Sequence, residues 1–438
     1  MKNQRNLELR AAKYIKRKSE LAMLESGKPS FAERPTQEAN QGQNKPPIAI
    51  LGAGLMGRML AISLMEDYQV FLFDKDSKEG QQSAAYLAAA MLAPLAESAD
   101  CSREIMQLGE MALALWPGFL KRLDTPVFFQ QKGSLIVAFE QDKSDLKQFK
   151  SRLKSSDYKV VSDAEMEQME PGLNPHLKSG LYLPNEGQLD NRQLLNAMAS
   201  TLNNSDVFWF DHMAIESTSS GFQVAGEPLE SFLNESIHCN SRSNSHNQFD
   251  WVLDCRGLGA QADEALKADA CDMASNIASS TKMLRGVRGE VVRIRAPGVH
   301  LTRPVRLMHP RYPIYIAPKS DGLFVVGATQ IESEDTRNPT VRSTLELLSA
   351  CFSVHSGFAE AEILGIESGL RPAYLDNEPK IIIKERLVSI NGLFRHGYLL
   401  APVMLQQCLT ILKGSTDEES FTQIMPKLVE NHSVKPRR

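Results

Sequence analysis

At 438 residues, with 42% hydrophobic and 23% charged side chains, the chain is long enough for two or more globular domains. Its net charge of −4 and pI near 6.2 offer no basic surface for nucleic acid or an anionic membrane. The apolar-looking run Ala84 to Ala96 is broken by Pro94 and too short to span a bilayer, no charged-then-apolar leader opens the chain, and the six cysteines (101, 239, 255, 271, 351, 408) lack metal spacing, so a cytoplasmic protein with reduced thiols is expected.

Residues 1–46 read as an extension outside the fold. Positions 5 to 25 suit a basic, mildly amphipathic helix, and a polar linker follows. A solvated tail and a docking helix both fit this composition.

The stretch Pro47 to Asp74 carries the strongest pattern. Ile48 to Leu51 is a short apolar run suited to a strand buried on both faces. Gly52-Ala53-Gly54-Leu55-Met56-Gly57 follows, then a helical run through Met65 and a second apolar run, Val70 to Phe73. Gly52 permits a tight turn, Gly54 admits a pyrophosphate against the backbone, and Gly57 lets helix and strand pack closely. The helix start presents free N–H groups and a positive dipole end. Asp74 stands where a carboxylate accepts from a ribose. Strand, glycines, helix, strand and acid in that order predict a nucleotide-binding βαβ unit.

Farther on, the small residues from Ala84 to Pro94 suit a helix or turn lying against a flat ligand, or close helix packing. Helices are expected from about Ser102 to Leu123 and Asp142 to Leu153, with strands at Val127 to Phe129, Ser134 to Phe139 and Gly180 to Pro184. Gly187 to Asp190 reads as a turn, with Asp190 capping the next helix. The stretch Asn234 to Asp250, rich in Ser, Asn and His, reads as a surface insertion, and Trp251 to Leu253 as a strand before a second glycine-bearing turn. Alternation from Gly289 to Gly327 predicts an antiparallel sheet, followed by a helix over Val341 to Val354. A strand near Leu387 to Ile390 and a glycine turn lead to a last helix from about Leu400.

Several of these stretches together resemble the FAD-dependent D-amino-acid-oxidase superfamily, and within it the glycine oxidases of thiamine biosynthesis. They are Gly52 to Asp74, Ala88 to Pro94, Val287-Arg288-Gly289-Glu290, Tyr315-Ile316-Ala317-Pro318, Val326-Gly327-Ala328-Thr329, Gly369-Leu370-Arg371-Pro372 and Arg395 to Pro402. The resemblance covers roughly residues 47 to 415. It implies an α/β fold: a Rossmann-like FAD-binding domain (47–125, 186–281 and 368–416) interrupted by an antiparallel-sheet-rich α+β substrate domain (126–185 and 282–367), with a tail at 417–438.

The resemblance also implies a non-covalent FAD and oxidation of an amine alpha to a carboxylate. Glycine would become an imine that hydrolyses to glyoxylate and ammonia, or that supplies thiazole assembly. The flavin carries the redox chemistry, so no triad or paired carboxylate is sought. Arg371 matches the carboxylate-binding arginine, a planar fork suited to two parallel hydrogen bonds. Tyr315 would join the same carboxylate, and Arg395 stands in the loop before the last helix. The implied cofactor contacts are Gly52, Gly54, Leu55, Met56, Gly57, Asp74, Lys75, Ala84, Ala85, Ala89, Ala90, Met91, Ala214, Leu393, Phe394, Arg395, His396, Gly397, Tyr398 and Leu399. Lys319, His309 and Arg311 are read as surface or supporting residues.

Departures from the family pattern are Ala90 for a glycine, His396 for an asparagine, Leu393 for a histidine, and Gln330 where a methionine can sit. The implied partners are a small amino acid and either oxygen or an electron carrier, with a homo-oligomer left open. Two other readings stay open. One is a D-amino-acid or N-methyl-amino-acid dehydrogenase of the same superfamily. The other is an assembly protein that keeps the FAD fold and docks through its N-terminal extension, whose sign would be loss of Arg371.

Overall fold

In the computed structural model, which describes residues 45–218, 221–224, 226–232, 248–261, 283–308, 314–413 and 428–431, the first expected strand forms over Pro47–Leu51. The anticipated helix over 5–25, residues 234–247 of the surface insertion, and His309 and Arg311 lie outside the described residues. Pro46 onward holds together as one unit.

Pro47–Leu51 lies inside a seven-stranded sheet. The strand order is 429–431, 380–384, 387–391, 251–254, 47–51, 69–73 and 208–210. Its neighbours Trp251–Asp254 and Gln69–Phe73 both run parallel to it. The apolar run explains this position, since Ile48, Ala49, Ile50 and Leu51 are all fully buried and the sheet is covered on both faces. Ile48 and Ile50 pack under the helices Leu55–Leu64, Arg103–Leu120, Asn191–Asn203 and Gly397–Leu412. Ala49 and Leu51 face an aromatic layer of Phe71, Phe73, Phe208, Phe210 and Phe249. Phe71 and Phe73 stack on Phe208 and Phe210 at 5.0 and 4.9 Å.

The second large sheet has eight strands, in the order 362–373, 285–295, 323–327, 314–318, 305–307, 134–139, 177–183 and 159–161. All its pairs are antiparallel except Val305–Leu307 with Ser134–Phe139. The helix Val341–Val354 has the predicted bounds, with the Thr340 hydroxyl capping the Ser343 N–H, and packs on one face. On the other face, Val291, Val325 and Tyr315 meet Ala89 and Met91.

Gly187–Leu189 is a strand where a turn was expected, pairing with Met91–Leu92 and Phe129–Gln130 in a small third sheet. Gly187 is needed there because a Cβ would come within 2.5 Å of the Gln130 carbonyl. Asp190 caps Asn191–Asn203 as expected, accepting from the Arg192 and Gln193 N–H groups at 2.9 Å. The last helix begins at Gly397, three residues earlier than anticipated. Cys101, Cys255, Cys351 and Cys408 are free thiols. Among the described residues no helix is long and apolar enough to cross a membrane, and no acid, His or Cys cluster could hold a metal.

Candidate active site

A cleft of about 1080 Å³ runs from the first glycine turn to the inner face of the second sheet. At its first end, Gly52 turns the chain with φ 95° and donates its N–H to the Phe73 carbonyl at 2.7 Å. A side chain at Gly52 would strike the backbone of Cys255 and Arg256, and one at Gly57 would strike the Gly52 carbonyl. Gly54 faces open space, and no side chain caps the helix that starts at Leu55. Asp74 closes this end: its carboxylate accepts from the Ala53 N–H and, at 2.8 Å, from the Asp76 N–H. Burial pushes its pKa up, against those two hydrogen bonds.

Beneath the turn lies a feature not anticipated from sequence. Arg58 is buried and donates to the carbonyls of Ala53, Leu195 and Lys78 at 2.7, 2.9 and 2.9 Å. It ties the glycine turn to the loop that follows Asp74. Only its place in an apolar helical run hinted at this.

Small residues form the middle wall. Ala84, Ala85, Ala89, Ala90 and Met91 line the cleft together with Leu393, Phe394, Gly397, Tyr398 and Leu399. Ala90 adopts φ 50° and Phe394 φ 49°, left-handed conformations that favour glycine. Lys319, read as surface or supporting, is buried. Its ammonium donates to the carbonyls of Ala89 and Leu189 at 2.9 and 2.8 Å and to Gln188 Oε1 at 3.1 Å. Burial pulls its pKa down to about 7. Tyr398 donates to the Ala85 carbonyl at 3.0 Å, which Asn191 also caps at 2.9 Å.

The far end gathers charge. Arg371 projects from the strand Glu362–Ala373, and Gly289, directly opposite Gly369 on the neighbouring strand, makes room for it. A Cβ on Gly289 would overlap its guanidinium, and one on Gly369 would strike Leu87. Arg371 donates to the carbonyls of Arg288 and Thr329 at 3.3 and 3.2 Å, and no carboxylate pairs with it among the described residues. Burial lowers its pKa. Tyr315 lines the same end, its pKa raised by burial.

Arg395 also lines the cleft, but it is already paired. It donates to Glu97, to Asp100 at 3.4 Å and to Gln330 Oε1 at 3.2 Å. Arg306 joins Glu97 from the other side at 3.0 Å. Burial opposes charge on Glu97, yet Arg395, Arg306 and His396 hold its carboxyl well below the usual range. His396 is buried behind this group, outside the cleft lining, with Nδ1 lacking a hydrogen-bond partner and its pKa pulled down by burial to about 4.

The structure brings together Gly52, Gly54, Leu55, Met56, Asp74 and Lys75 at one end, and Tyr315, Arg371 and Arg395 at the other. Gly57 supports the turn from behind. Ala214 is not brought to the cleft: it is exposed, just before the strand Ile215–Thr218. The sequence reading did not single out Glu97 or Arg306. The available signal was a lone charge in an apolar run (Met91 to Ala99 for Glu97, Val305 to Met308 for Arg306), which is unusual unless the charge is paired.

An FAD fits these residues. The cleft is far larger than an amino acid requires, Gly54 leaves open room at an uncapped helix start, and an acid stands at the end of the second strand. Comparison with known proteins agrees. A candidate thiamine biosynthesis oxidoreductase, ThiO, from Rhizobium etli is 33% identical over 358 residues, 82% of this chain and 93% of that protein. The bifunctional protein ThiO/ThiG of Synechocystis is 23% identical, and the match spans 82% of this chain but half of that protein. The crystal structure of glycine oxidase from Geobacillus kaustophilus shares the fold, with a TM-score of 0.66, 20% identity, and coverage of 90% of this chain and 100% of that one. Iminodiacetate oxidase from Chelativorans does so at 0.66 and 19%, over 89% and 100%. The DAO family model, described as FAD dependent oxidoreductase, matches residues 47–405, and the chain belongs to that family of FAD-dependent enzymes.

Proposed function

We propose that this enzyme oxidises the amine of a small amino acid, glycine first, and that its product serves thiazole assembly in thiamine biosynthesis. The observation that carries this reading is Arg371: a guanidinium in the cleft wall, lacking a carboxylate partner among the described residues, beside Tyr315. Such a fork suits one carboxylate in two parallel hydrogen bonds. The similarity to ThiO, and the joining of ThiO with ThiG in one relative, support the thiamine role.

When bound, FAD would supply the oxidant: the amine gives up its Cα hydrogen as a hydride equivalent and an N–H proton, and becomes an imine. Water then converts the imine to glyoxylate and ammonia, and oxygen takes the electrons and two protons to give hydrogen peroxide. The chain's share is placement. Gly52, Gly54 and Asp74 would hold the dinucleotide, and Arg371 with Tyr315 would orient the substrate by its carboxylate. We assign residues 47–125, 186–281 and 368–416 to the cofactor domain and 126–185 with 282–367 to the substrate domain, the strand Glu362–Ala373 of the second sheet crossing that boundary.

Arg371→Ala tests the reading. Truncating one partner of a desolvated charge pair costs roughly 2–5 kcal/mol, so kcat/KM for glycine should fall about a hundredfold or more while FAD stays bound. Lysine should restore only part. Parental turnover in Arg371→Ala would move the carboxylate site elsewhere. A parent that holds FAD but ignores glycine, sarcosine and D-alanine would end the amino-acid reading.

A further inference from the structure

Three guanidiniums meet at the substrate end of the cleft, and two of them share one half-buried acid, Glu97. Glu97 takes Arg306 on Oε1 at 3.0 Å and Arg395 on Oε2. Asp100 completes the group on Arg395 at 3.4 Å. Two cations and two anions cancel, so Arg371 is the cation at this end without a carboxylate partner among the described residues.

Glu97 occupies this position by local construction. Pro94 opens the short helix Pro94–Glu97, and the preceding Ala93 is buried against the second sheet, which carries Arg306. The helix therefore delivers its one acid between Arg306 on the strand Val305–Leu307 and Arg395 before the last helix. Arg306 is itself buried and lines the cleft. Removing the Glu97 charge would leave Arg306, a buried cation, without its ion-pair partner and open to an anion, with Glu186 the remaining acid near it.

We propose that Glu97 determines specificity: by neutralising Arg306 and Arg395 it restricts the cleft to amines carrying a single carboxylate and rejects dicarboxylates. The proposal rests on Arg371 holding the substrate carboxylate. A second carboxylate would approach the Glu97 carboxylate, and like charges brought together in a desolvated site repel.

The test uses the FAD-loaded enzyme and two ligands with no amine to oxidise, acetate and malonate. Their affinities are read from perturbation of flavin absorbance and, independently, from the shift in melting temperature. The parent should bind acetate at least as well as malonate. Glu97→Gln should tighten malonate tenfold or more and change acetate less than threefold. A malonate-to-acetate ratio that stays within threefold of the parental value overturns the proposal. Should Glu97→Gln lose its flavin, Arg306→Gln replaces it. That variant leaves the cluster with excess negative charge, so the ratio should fall at least threefold, and an unchanged ratio is again fatal. Arg371→Met separates the two ideas. If it leaves acetate binding intact, the underlying carboxylate assignment fails. If it abolishes acetate binding while the Glu97→Gln ratio stays parental, only the role of Glu97 fails.

Discussion

Glu186 is a buried acid whose carboxylate accepts from Ser134 Oγ and, at 2.7 Å, from the Ala96 N–H. Burial raises its pKa to about 7, above the value it takes in the unfolded chain, with the two hydrogen bonds working the other way. The folded state thus binds a proton more readily than the unfolded one between pH 4.5 and 7. The Glu186 contribution is present in full below that window and is lost as pH rises through it. Thermal unfolding at pH 5 and pH 8 should show the parent losing on the order of 3 kcal/mol from this group. Glu186→Gln keeps the shape without the titration and should flatten that part of the slope. An unaltered slope would show that Glu186 is ionised in the fold. Arg371 differs from this acid in being foreseeable, because its motif lies beside a proline in a recognisable order. A buried acid such as Glu186 has no such marker; its partners come from strands and loops far away in the chain.

Among the elements, the three short strands Met91–Leu92, Phe129–Gln130 and Gly187–Leu189 form a small sheet that reaches the cleft wall at Met91, and Lys319 fastens it to the second sheet. Lys319→Met should leave the Ala89 and Leu189 carbonyls unpaired, at about 1–3 kcal/mol for each buried group. The denaturation midpoint should drop accordingly, and flavin retention on desalting should fall, because Ala89 and Ala90 line the cleft. Unchanged retention would detach this wall from cofactor binding. What could be read from the sequence follows the same division. The Gly52 turn and the Val341–Val354 helix were legible because their signals are local: glycines at fixed spacing, a threonine cap, a steady apolar period. The Gly187 strand was not, since three residues carry no period and pair only because Met91 and Phe129 arrive beside them. Lys319 looked like any lysine near a turn; burial is a property of the assembled layers.

In the molecule as a whole, the first sheet is made from both ends of the described chain. Pro47–Leu51 pairs with Trp251–Asp254, which pairs with Leu387–Asn391, which pairs with Lys380–Lys384. A chain ended at residue 379 should therefore expose the Trp251–Asp254 edge and lose the last helix that roofs Ile48 and Ile50. It is expected to retain no flavin and to unfold without a cooperative transition; a truncated protein that purifies yellow and melts sharply would contradict this.

The same pairing has a consequence during synthesis. The glycine turn leaves the ribosome early, but Gly257 and Asn391, which line the cleft and share a hydrogen bond at 3.0 Å, are separated by well over a hundred residues of chain. At roughly 5–20 residues per second, translation of the stretch between Leu51 and Asn391 takes on the order of half a minute. The nascent Pro47–Leu51 strand has an open edge until Trp251–Asp254 arrives, and Trp251–Asp254 then has one until Leu387–Asn391 arrives. Chaperone engagement, and any cellular supply of the cofactor, must therefore bridge a gap in time that the finished fold no longer displays.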